Sequence, residues 1–170
     1  MDYLREDTST DVVVMSLSWY NAGPMDGSGA FNDRFERSAS NGLTWAVSAG
    51  NAGDGAHWNG TWTDPDGDDW LSVADGRELA RVEGGTNVYM QWDDWPSGDE
   101  DLDLYLYESR SAFPNDPVRV ANTTQSGTSH RPTERLLSVR TGTYYAAVRH
   151  EAGPAPESAT MFSTSGTTAP

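Results

Sequence analysis

Leu102, Leu104 and Leu106 alternate with Asp103, Tyr105 and Tyr107, and this two-residue period restricts the chain more than any other feature. A helix would scatter the three leucines around its axis, whereas a strand lines them along one face. The same alternation recurs in Val88, Met90 and Trp92 and again in Tyr144, Ala146 and Val148. Further apolar segments over 58–63, 70–73, 78–83, 118–121 and 135–140 are bounded by turn sequences such as Pro65-Asp66-Gly67, Gly84-Gly85, Pro96-Ser97-Gly98 and Thr141-Gly142. Roughly seven or eight short strands in about a hundred residues predict an antiparallel β-sandwich.

Ahead of residue 54 the pattern is different. Val12 to Ser18 form a near-continuous apolar run, as in a parallel strand covered on both faces. Phe31, Phe35 and Ala39 then recur at every fourth residue, which is helical spacing, and Asn41-Gly42 supplies a left-handed stop. Leu43, Trp45, Ala46 and Val47 read as a second strand, ended by Gly50, Asn51, Ala52 and Gly53. Strand, helix, strand is a crossover unit of an α/β sheet, where chemistry sits at the carboxyl ends of strands. Ser16-Leu17-Ser18 and Ala49-Gly50-Asn51 both fall at such ends. An Asn held there between glycines can present its NH₂ group outward, and it can equally cap an ordinary turn.

The stretches Val12–Ser18 and Ala49–Gly53 resemble two linked motifs of the subtilisin-like serine peptidases. That family carries a Val-x-x-Met-Ser-Leu-Gly strand, a helix, and a hydrophobic strand ending Ala-Gly-Asn-x-Gly. The resemblance implies that Asn51 is the side-chain donor of an oxyanion hole, a role for which subtilisin is itself the standard case. It further implies that Ser16, Leu17 and Ser18 pair with substrate backbone and that Ala49 and Gly50 help wall a specificity pocket. Ser18 departs from the family, which usually has Gly there. Asp-Leu-Asp-Leu-Tyr-Leu-Tyr over 101–107 and Gly-Thr-Tyr-Tyr over 142–145 are similar to bacterial pre-peptidase C-terminal domains, jelly-roll-like modules attached to secreted peptidases.

The expected fold class is therefore α+β: a partial α/β subtilase-like segment over 1–53, an inserted antiparallel β-sandwich of jelly-roll type over 54–158, and a return toward the peptidase core over 159–170. Asp2-Tyr3-Leu4-Arg5 reads as the tail of a helix, so the chain is expected to begin inside a larger protein. The resemblance also implies secretion, and no stretch is long and apolar enough for a membrane-spanning helix.

Charge narrows the partners. The net charge is −15, and all eleven basic residues are Arg. Between Asp54 and Asp116 sixteen acids face three arginines, a net of −13. Phosphate binding needs a basic patch, so nucleic acid is not an expected partner. The acids form either a solvated face, as in salt-adapted proteins, or sites for cations. Asp64, Asp66 and Asp68 occupy alternate positions of a Gly-containing turn, an arrangement that suits Ca²⁺. Asp69 stands where an EF-hand loop needs Gly, and the flanks look extended, so that motif is not expected. Asp101 and Asp103 share one face at the start of a strand and form a second candidate metal pair.

The catalytic inventory is negative. His57, His130 and His150 lie in the sandwich portion without the His-Gly-Thr context of the peptidases, and Gly166-Thr167-Thr168 has Thr where the nucleophilic Ser belongs. The peptidase triad runs Asp, His, Ser along the chain, and the matched region falls between His and Ser. The leading expectation is a central piece of a secreted subtilisin-like serine endopeptidase, inactive alone, acting on peptide substrates in the complete enzyme. The alternative is a non-enzymatic, calcium-stabilised β-sandwich that binds protein or glycan through aromatics such as Trp92, Trp95 and Tyr107.

Overall fold

A computed structural model describes residues 4, 9–50, 53, 56–125, 130–163 and 167–168. The chain divides into two units, Met1–Gly50 and Asn51–Pro170.

In the first unit, strand β1 (Val12–Met15) pairs in parallel with β2 (Thr44–Val47), and helix α1 (Gly29–Ser40) joins them. Gly42 ends the helix with a positive φ of 94°. Its N–H donates to Ala39 O and the Leu43 N–H to Ser38 O, the paired bonds of a Schellman stop. The helix docks through Phe35, which meets Trp45 edge-on at 4.8 Å, while Trp45 Nε1 donates to Ser38 Oγ at 2.7 Å. The inward stripe is thus Phe35 and Ser38. Ala39 is exposed, and Phe31 stacks instead on the exposed Trp19. Helix packing half-buries Val13, Met15 and Trp45, whereas Val12, Val14 and Ala46 on the other face stay exposed.

The second unit holds two antiparallel sheets. One orders β3 (His57–Thr61), β10 (Ser158–Ser163), β5 (Val88–Trp92) and β8 (Thr133–Leu136). The other orders β11 (Thr167–Thr168), β4 (Ala80–Glu83), β9 (Thr143–Ala152), β6 (Asp101–Tyr107) and β7 (Arg119–Ala121). Both contribute to one core, with Val88, Met90 and Met161 from the first and Val82, Leu102, Leu104, Leu106 and Val148 from the second. This mostly β arrangement, with two antiparallel sheets around a shared core, is compatible with a β-sandwich. The leucines of β6 point inward, as their alternation requires.

The strand expected over 135–140 lies at Thr133–Leu136, and two further segments differ from the sequence reading. Residues 70–73 make one bridge, Trp70 to Arg149, rather than a strand, although Leu71 and Val73 still enter the core. Positive φ values at Asp69, Asp75 and Gly76 curl the chain on either side and interrupt a ladder. The sequence reading closes the sandwich at residue 158, yet the chain continues as β10 between β3 and β5. Among the described residues no helix is long and apolar enough to cross a membrane.

Candidate functional site

Register brings the two peptidase-like motifs together. Met15 lies opposite Val47, and the Ser48 N–H donates to Met15 O at 3.0 Å, so the ladder extends past both strand ends. Ser16, Leu17 and Ser18 therefore leave β1 beside Ser48, Ala49 and Gly50 leaving β2. All six are exposed. Gly50 has a φ of 82°, and a Cβ on it would stand 3.1 Å from Ser18 Oγ. Asn51, the proposed oxyanion donor, lies outside the described residues.

The Asp64 turn is built from hydrogen bonds. Asp64 Oδ1 accepts the N–H groups of Gly67 at 2.8 Å and Asp68 at 3.2 Å, and Oδ2 accepts that of Asp69 at 3.0 Å. Desolvation opposes ionisation at Asp64, but these donors outweigh it and lower the pKa. Asp68 Oδ1 accepts the Trp70 N–H. At Asp66 desolvation followed by the charge of Asp68 raises the pKa, and a side-chain hydrogen bond with Asp64 adds to the rise. Ligand oxygens of Asp64, Asp66 and Asp68 all lie within 4.8 Å of one another. At this spacing the three carboxylates could hold a hard cation. Glu78 senses the cluster: desolvation and then the charges of Asp68, Asp66 and Asp64 raise its pKa.

Asp101 and Asp103 do not repeat this geometry. Among the described residues the only trio of acids at ligand spacing is the Asp64 set. Asp101 Oδ1 instead accepts the Gln125 N–H at 3.1 Å. Asp103 Oδ2 accepts the Tyr105 hydroxyl at 3.3 Å, and burial, then Glu151, Asp101 and Glu134, push its pKa up to about 6. Each acid of the expected second metal pair thus carries a hydrogen bond of its own.

Sequence reasoning missed Glu134, which is 3% exposed and accepts the Thr123 N–H at 2.6 Å and Gln125 Nε2 at 2.8 Å. Starting the strand at Thr133 instead of Arg135 would have placed Glu134 on the inward face with Leu136. Two suggested contact aromatics are also reassigned. Trp92 is 2% exposed and Tyr107 is fully buried, so neither can form a binding surface. The histidines have backbone neighbours: His57 Nδ1 lies 3.1 Å from Gly53 O and His150 Nε2 3.2 Å from Pro154 O.

Compared with known proteins, the chain matches no protein-family model and no curated protein.

Proposed function

We propose that this chain is the central piece of a secreted subtilisin-like serine endopeptidase, carrying the oxyanion region and an inserted jelly-roll-like sandwich. One observation supports the reading most: two motifs about thirty residues apart in sequence emerge side by side from the carboxyl ends of adjacent parallel strands. A peptide substrate laid along the free backbone of Ser16, Leu17 and Ser18 would bring its carbonyl toward the mouth of β2. Asn51 would donate to the oxygen of the tetrahedral intermediate there, while Ala49 and Gly50 would wall the pocket for the preceding side chain. The nucleophile and its base would come from outside residues 1–170. The bare face formed by Val12, Val14 and Ala46 is consistent with a strand pair that belongs to a wider sheet.

The sandwich is proposed to take Ca²⁺ at Asp64, Asp66 and Asp68 as a stabilising ion, with no part in the chemistry. The decisive variant is Asn51→Ala in the complete enzyme. It should lower kcat by about 10²–10³, a magnitude that subtilisin itself sets, with KM little changed. An unchanged kcat removes Asn51 from the role.

A further inference from the structure

Among the described residues of the second unit, the exposed large apolar side chains are Val118 at 42%, Val120 at 37% and Leu137 at 44%, and all three lie along one seam. Val118 leads into β7, which Val120 occupies, and Leu137 follows β8. Each of these strands ends its sheet: β7 pairs with β6, and β8 with β5. Side chains tie the two together. Arg119 Nη2 donates to Leu137 O at 3.2 Å, and the Thr123 N–H donates to Glu134 Oε1 at 2.6 Å. Among the described residues no backbone hydrogen bond joins β7 to β8, so each keeps an open edge.

Charge at this seam is opposite to that of the rest of the chain. Residues 117–150 hold five arginines against one acid, Glu134, a net of +4, whereas residues 54–116 carry −13. Glu134 is 3% exposed, so the surface of this segment is basic. Among the described residues the ion pairs join Arg81 to Glu83 and Arg149 to Glu151, and Arg119 pairs with no acid. Leu137 O takes one N–H of the Arg119 guanidinium and orients it, leaving the rest of its donor fork for another acceptor. The faces alternate. Val120 stands opposite Tyr105 on the outward side with Val118, while Arg119 stands opposite the inward Leu106.

We propose that the open edge of β7 docks an extended acidic peptide, which adds as a further strand with apolar side chains over Val118 and Val120 and a carboxylate on Arg119. Side chains on neighbouring strands meet on the same face, so the peptide that fits alternates apolar and acidic residues. Its backbone takes the hydrogen bonds that an edge strand leaves unmade. A second copy of the chain suits the edge less well, because two-fold pairing along β7 brings two Arg119 side chains close together. The site stands apart from the peptidase chemistry and needs neither Asn51 nor a triad.

Fluorescence anisotropy on the whole chain tests the site with a labelled, end-blocked peptide of about seven alternating Val and Glu residues. Physiological ionic strength screens the acids of 54–116 that lie beyond about 8 Å. The peptide should bind about tenfold tighter than its Val-Lys counterpart, and N-methylation of alternate residues should abolish binding by blocking the added ladder. Arg119→Gln, with a near-ultraviolet circular dichroism spectrum matching the wild type, should weaken binding about tenfold, the loss of one charge-assisted hydrogen bond. Arg81→Gln, on β4 of the same sheet, removes the same charge away from the seam and should change binding less than twofold. No binding of the Val-Glu peptide overturns the proposal, as does equal binding of the Val-Lys or N-methylated peptide. Equal weakening by Arg81→Gln would make the attraction one of overall charge and overturn it too. Dimerisation in sedimentation that Arg119→Gln abolishes, without peptide binding, would make a second copy the occupant and also overturn it.

Discussion

At Asp103 a carboxyl group on the outward face of β6 is 8% exposed and surrounded by other acids. Its folded pKa of about 6 lies above the unfolded value of about 3.9. The folded state therefore binds the proton more tightly. The associated stability is fully present below about pH 4 and is lost as the pH rises through 6. Asp103→Asn should flatten that limb and stabilise the protein above pH 6 by up to about 3 kcal/mol, read from urea midpoints at pH 4 and pH 8. A variant no more stable at pH 8 than the wild type would show that Asp103 is ionised at little cost. The sequence marked Asp101 and Asp103 as unusual because two acids stood on one strand face. It could not show that Gln125 supplies a donor to Asp101, since that partner comes from the chain's return in space, whereas Tyr105, which donates to Asp103, stands two residues along the same strand.

Secondary elements were legible where local pattern and tertiary demand coincide. The three leucines of β6, the alternation of β5 and β9, and the Asn41-Gly42 stop all appear where expected, because each rests on backbone geometry rather than on distant contacts. β10 was not legible: its segment follows Gly153-Pro154-Ala155-Pro156, which reads as a linker, and its apolar content is only Ala159, Met161 and Phe162. Strands on both sides make it central. The 70–73 segment failed oppositely, with apolar residues that fill the core but no partner for a ladder. Gly42→Ala should tax α1 specifically, because a Cβ is strained at φ 94°. The expected cost is about 1 kcal/mol in a denaturant titration, whereas an equally exposed Ala39→Gly change acts through helix propensity alone. No loss in Gly42→Ala would mean that the left-handed stop does not restrain the helix.

For the molecule as a whole, the net −13 carried by residues 54–116 is the dominant long-range term. Self-repulsion of this size destabilises the folded state at low ionic strength. Any salt screens it over a Debye length of about 8–10 Å, while a bound cation adds stability by mass action. Millimolar Ca²⁺ should therefore raise the Tm beyond what NaCl of equal ionic strength achieves, and Asp66→Asn should remove the excess. Identical shifts from the two salts would make the Asp64 cluster a solvated turn, held by its own backbone donors.

The peptidase reading is tested most directly by a fluorophosphonate probe, which labels only an activated serine. Applied to the complete enzyme, it should mark one serine outside residues 1–170, block peptide hydrolysis in proportion to labelling, and leave the 170-residue chain unlabelled. Hydrolysis by the complete protein that persists with no serine labelled, or labelling of a serine within this chain, would contradict the account.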